Sequence, residues 1–175
     1  MNDESVAEAQ IGRPLRSSVD VVARCHLELP VVVAVPPLLD DGTPFPTRYW
    51  LTCPLARRRI GTVESGGGVK EAQARIANDP SFAADYENAM DDYRRERDSL
   101  VPTEHEGPVP IGGVGGARAG VKCLHAHYAD YRAGNQNPVG RQTSPAVDPL
   151  NCAMPCVVSE GVSAVRNPEW REPKR

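Results

Sequence analysis

Three runs rich in β-branched and aromatic residues, SVDVVAR (18–24), PVVVAV (30–35) and TRYWLT (47–52), fall within the first third of this 175-residue chain. Such residues suit the half-buried pleat of a strand. Between the last two runs, PPLLDDGTPFP carries prolines and an Asp41-Gly42 pair that impose a turn-rich connection. As an antiparallel meander, the first and third strands run the same way. Cys25 and Cys53, each directly after its strand, then lie at the same end of the sheet. Neighbouring strands are about 4.8 Å apart, so both thiols can reach one site.

Helical signals dominate the rest. Asp3 caps a short helix over 4–11. Pro54-Leu55-Ala56 opens a helix over 54–65 that stops before Gly66-Gly67-Gly68, and VKEAQARIAN follows as a second piece. Asp79-Pro80 starts a helix to about Asp98, with Phe82, Tyr86, Ala89 and Tyr93 as its apolar stripe and DDYRRERD as its solvated face. Residues 101–116 read as loop, and a further helix is expected from about Ala117 to Ala133, with Gly134 as a left-handed cap. Periodicity then disappears. The expectation is an α+β fold, a small three-stranded antiparallel sheet packed with several helices, forming a single domain over 1–142 followed by an irregular or flexible tail over 143–175.

Composition narrows the function. A net charge of -3 and a pI of about 5.8 build no field for phosphate backbones, so a nucleic-acid partner is not expected. The acidic start MNDESVAEAQIG lacks a basic n-region and an apolar h-region, and VVVAVPPLL is broken by prolines, so a cytoplasmic protein without membrane insertion is expected. With 5% aromatic residues, 15 Gly and 17 Pro, the core is modest and open to extra fastening. Five cysteines are an odd set without an export signal, which leaves metal binding, reactive thiols or buried small side chains.

The stretch VKCLHAHYADYRAG (121–134) concentrates the candidates. On a helix, Cys123 and His127 stand one turn apart while His125 points elsewhere. Adding Cys25 and Cys53 gives a three-cysteine, one-histidine shell that would suit zinc, with iron as the other thiolate-binding metal and His26 as reserve ligand. The alternative is that Cys123 packs against the sheet and His127 joins a polar cluster. His125 is the candidate general base, or else a surface residue. Upstream, Gly112, Gly113, Gly115 and Gly116 could turn amides towards an anion, with Arg118 and Lys122 neutralising a phosphate or carboxylate. That loop matches neither the dinucleotide nor the P-loop pattern, and a flexible entry to the helix also explains it. Cys152 and Cys156 lie in the least organised segment, and nothing flanking them lowers a thiol pKa. Arg57, Arg58 and Arg59 read as a solvated helix face.

GTPFPTRYWLTCP (42–54), the Arg24-Cys25 pair and GVGGARAGVKCLHAHYADYRAGNQNPVG (113–140) resemble the actinobacterial family of uncharacterised proteins designated domain of unknown function 501 (DUF501), over roughly residues 10–142. The resemblance implies a small cytoplasmic bacterial protein, with family genes often near those for enolase, a septum-formation initiator and an exopolyphosphatase. A protein partner in a cell-division or polyphosphate context is therefore implied. The family segment C-P-C-G-x-P corresponds to Cys25 through Pro30, with Leu27 in place of the second cysteine.

Two functions follow. The first is a metal-stabilised interaction or regulatory protein without established catalysis, with zinc supplying folding energy to a small domain. The second is a small enzyme acting on a phosphorylated or carboxylated ligand over the Gly-rich loop, with His125 or a metal-bound water as the reactive group. A concave pocket shared by that loop and His125 would favour the second.

Overall fold

The computed structural model describes residues 1–174. Its element order is α1 (Asp3–Ile11), β1 (Asp20–Arg24), β2 (Pro30–Ala34), β3 (Tyr49–Leu51), α2 (Pro54–Ser65), α3 (Gly68–Asn78), α4 (Pro80–Ser99), α5 (Leu124–Arg132), α6 (Pro138–Thr143), β4 (Val157–Glu160) and β5 (Ser163–Arg166). The three expected strands form an antiparallel sheet in the order β1-β2-β3, with Val33 opposite both Val21 and Trp50. Every residue of β2 is buried, because both faces of the sheet are covered. One face meets the main core, including Leu55, Ile60, Leu124 and Tyr128. The other carries a smaller cluster of Ala7, Val33, Val35 and Leu39, with Phe45 and Trp50 against it. The fold is α+β, a small antiparallel sheet packed against several helices.

Local chemistry sets most helix starts. Asp79 accepts from the amides of Ser81 and Phe82, and Pro80 occupies the first turn of α4. The stripe Phe82, Tyr86, Ala89 and Tyr93 is buried as its spacing predicts.

The helix expected from Ala117 does not form until Leu124. Gly120 takes φ +63°, and Cys123 is extended at φ −155°, ψ 149°. The carbonyls a helix would have used are diverted, Gly120 O to the Tyr86 hydroxyl at 2.8 Å and Val121 O to Gln73 Nε2 at 3.2 Å. The Leu124 amide donates instead to Glu64 Oε1 on α2 at 2.6 Å, so a carboxylate from another helix starts α5.

The segment expected to be irregular is tied down. Arg59 is 4% exposed, and its guanidinium donates to Val147 O and Pro149 O, both at 2.6 Å, and to Asn151 Oδ1 at 3.0 Å. This strap crosses α2 and leads into the β4-β5 hairpin, which turns at Gly161 with φ +61° and packs on α1. Arg59 is therefore a buried clamp, not part of a solvated face. Among the described residues, no helix is long and apolar enough to cross a membrane.

Candidate functional site

The four residues expected to share a metal are distributed over separate environments. Cys25 and Cys53 do lie at one end of the sheet, since Arg24 pairs with Pro30 and the Cys53 amide donates to Val31 O. Their thiol neighbours are the tail residues Cys152 and Cys156, close enough for the sulfurs to influence one another electrostatically. Trp170 Nε1 donates to Cys152 Sγ at 3.4 Å and Gln10 Nε2 to Cys156 Sγ at 3.5 Å. Burial pushes the Cys53 thiol up to about 12. Among the described residues, no three His, Cys, Asp or Glu side chains group as a metal shell requires.

Cys123 and His127 are not stacked on one helix face, because Cys123 precedes the helix in extended conformation. His127 is 1% exposed, and its Nδ1 lies 3.0 Å from Asn137 Nδ2 and 3.1 Å from Oδ1. Asn137 also donates to Asp130 Oδ2 at 2.8 Å, while its Oδ1 caps α6 by accepting from Gly140 N at 2.9 Å. Burial lowers His127 to about 4 and raises Asp130 to about 6. His127 thus works as a neutral tie between α5 and α6, the polar-cluster alternative.

The remaining candidates converge elsewhere. A cleft of about 480 Å³ lies beside β3 and is lined by Thr47, Trp50 and Leu51 together with Arg57, Gly115, Lys122, Cys123 and His125. A hollow of about 300 Å³ lies across Arg57 and His125 from it and adds Pro54, Arg58 and Arg166. The two share Arg57 and His125.

Arg57 is half-buried and makes no ion pair with a carboxylate among the described residues. Burial depresses its guanidinium pKa, and the charges of Arg166 and Arg13 add to the effect. Arg166 is anchored by two carbonyls, Ala9 O at 3.0 Å and Gln10 O at 2.6 Å. Lys122 Nζ reaches Gly115 O at 3.5 Å. Arg58 is engaged by Glu172 at 3.7 Å and lies over the Trp170 ring. Among the described residues, like charges are thus gathered without a matching carboxylate at Arg57 and Arg166, although the whole chain is net negative.

His125 is fixed by two acceptors. Its Nδ1 faces Glu64 Oε1 at 3.2 Å and its Nε2 faces the Arg57 carbonyl at 3.1 Å. Both ring nitrogens thus face protein oxygens, and neither is turned to the cleft as a free base. Beside it, burial raises the Cys123 pKa and keeps it a thiol. The cleft therefore offers positive charge and donors without an activated nucleophile.

The Gly-rich loop contributes less than its composition suggests. Gly112, Gly115 and Gly116 adopt positive φ, but the amides of Gly113 and Gly116 are spent within the loop on Ala117 O at 2.8 Å and Gly113 O at 2.9 Å. Of these glycines, Gly115 lines the cleft. Arg118 is exposed and outside its walls, and α5 starts eight residues beyond Gly116. Arg57 takes the place that the sequence suggested for Arg118. Its signal was present: three arginines near the positive end of a helix, with no acidic residue in the first turn, oppose the macrodipole.

A family model described as protein of unknown function (DUF501) matches residues 21–144. No curated protein and no solved structure matches the chain.

Proposed function

We propose that this chain, which belongs to the DUF501 family, is a binding protein whose β3-side cleft takes a small phosphorylated or carboxylated group. The observation that carries this reading is the half-buried Arg57 guanidinium, without a carboxylate partner among the described residues, on the same cleft as Lys122 and His125. A cation drawn out of water beside Arg166 and Arg13 is costly until an anion answers it. Arginine presents a planar fork that suits both phosphate and carboxylate oxygens.

Binding is favoured over chemistry because His125 is held by two acceptors and Cys123 remains a thiol. An interaction or regulatory role follows from that, in keeping with the cytoplasmic setting and the cell-division or polyphosphate context that the family resemblance implies. Calorimetric titration with inorganic phosphate tests the reading. The wild-type chain is expected to bind with an affinity that falls as salt rises. Arg57→Ala is expected to weaken binding at least tenfold, about 1.4 kcal/mol, with unfolding little changed. Equal binding by both proteins would reject it.

A further inference from the structure

The cleft beside β3 and the smaller hollow meet at Arg57 and His125, and each has a cation that the other lacks: Lys122 in the cleft, Arg166 in the hollow. Arg58 also lines the hollow, but Glu172 answers it at 3.7 Å. Among the described residues, no carboxylate pairs with Arg57, Lys122 or Arg166. Arg166 comes from a distant part of the chain. It ends β5, and its Nε and Nη2 donate to the carbonyls of Ala9 and Gln10, so the contact of β5 with α1 holds its guanidinium in the field of Arg57. His125 Nε2 faces the Arg57 carbonyl and its Nδ1 faces Glu64, which fixes the Arg57 main chain where the two spaces join. Like charges held together in this way raise the free energy of the fold until anions answer them.

A single phosphate on Arg57 lies in one space or the other and leaves either Lys122 or Arg166 unanswered. We propose that the ligand carries a diphosphate group that binds astride Arg57, with one phosphoryl in the cleft against Lys122 and the other in the hollow against Arg166. This rests on the anion-binding reading above and names the chemistry of its ligand. A diphosphate suits the arrangement because its phosphoryl groups share one bridging oxygen, so both can reach a single guanidinium. The planar fork of Arg57 offers five N–H donors to their oxygens. Once the first phosphoryl is bound, the second binds intramolecularly, at the high effective concentration of a short link. Affinity then rises well above that of phosphate with neither half-site altered.

The test is calorimetric titration of the full chain with inorganic phosphate and with pyrophosphate at one ionic strength. Pyrophosphate is expected to bind the wild type about tenfold tighter or more. In Arg166→Ala and in Lys122→Ala that advantage is expected to fall to about threefold or less, while phosphate, which keeps the other half-site, binds within about threefold of wild type. Arg166 also secures α1, so Lys122→Ala, a change to an exposed side chain, carries the test if Arg166→Ala does not fold. Arg13 adds to the same field but lines neither space, and Arg13→Ala is expected to keep the advantage. Methyl diphosphate distinguishes the source: binding close to that of pyrophosphate assigns an esterified diphosphate, and markedly weaker binding assigns the free ion. An advantage untouched by Arg166→Ala and Lys122→Ala, or lost equally in Arg13→Ala, overturns the proposal. If phosphate binds through Arg57 and pyrophosphate binds no tighter, the bridging fails and the anion site stands; if neither binds, both fall.

Discussion

Glu64 Oε1 accepts the Leu124 amide at 2.6 Å and faces His125 Nδ1 at 3.2 Å, so one carboxylate both starts α5 and fixes the ring at the cleft. Glu64→Ala removes both functions. It is expected to cost about 0.5–2 kcal/mol in urea unfolding, the range for losing a helix cap. Glu64→Gln keeps an acceptor for Leu124 and is expected to recover most of the stability. Equal losses in the two variants would remove the capping role.

Arg59 ties the strap to α2 through two carbonyls and Asn151. Truncation to Ala leaves buried acceptors unpaired, at about 3 kcal/mol in all. The expected outcome of Arg59→Ala is lower stability and faster proteolytic cleavage between residues 147 and 156. Arg95→Ala, on the exposed face of α4, serves as the control and should leave cleavage unchanged. Identical digestion patterns in both variants would contradict the clamp.

The His127-Asn137-Asp130 cluster carries two pH dependences of opposite sign. His127 falls from its ordinary 6.5 to about 4 in the fold, so the unfolded chain takes up this proton first and stability is lost as pH falls from 6.5 towards 4. Across that window the loss is about 3 kcal/mol at 1.36 kcal/mol per unit. Asp130 rises from 3.8 to about 6, so the folded chain takes up this proton first and stability is gained as pH falls from 6 towards 3.8. The two largely offset each other. His127→Gln deletes the first alone, so unfolding measured from pH 7 to 4 should show the variant gaining on the wild type as pH falls. A constant gap would contradict a buried neutral His127.

Gly140 sits where α6 crosses α5, and a Cβ there would run into the His127 carbonyl and the Tyr131 side chain. Backbone cannot give way as a flexible side chain can. Gly140→Ala is therefore expected to cost about 2 kcal/mol or more, read as a lower urea midpoint. A neutral result would mean that α6 can move off α5.

The sheet was legible because its signal is local: alternating or continuous β-branched runs separated by prolines and Asp41-Gly42. The same held for α4, where Asp79-Pro80 and the spacing of Phe82, Tyr86 and Tyr93 act over single turns. The start of α5 was not legible, because it depends on Glu64, Tyr86 and Gln73, residues distant in sequence that capture Leu124, Gly120 and Val121. The placement of Cys123 beside His127 depended on that start and changed with it. The tail followed the same rule, its order resting on Arg59 from a helix nearly ninety residues earlier. Lys122 and His125 were read as site candidates from their own motif, whereas Arg57 was hidden in a run that composition alone assigns to solvent.

The central claim is that Arg57, Lys122 and His125 form one anion-binding cleft. Its most direct test is a nitrogen-15 NMR titration of the full chain with inorganic phosphate at low salt. The account predicts saturable shifts confined to residues 47–51, 57, 115 and 122–126, and their loss in Arg57→Ala. Shifts absent from those positions, or unchanged in Arg57→Ala, would contradict it.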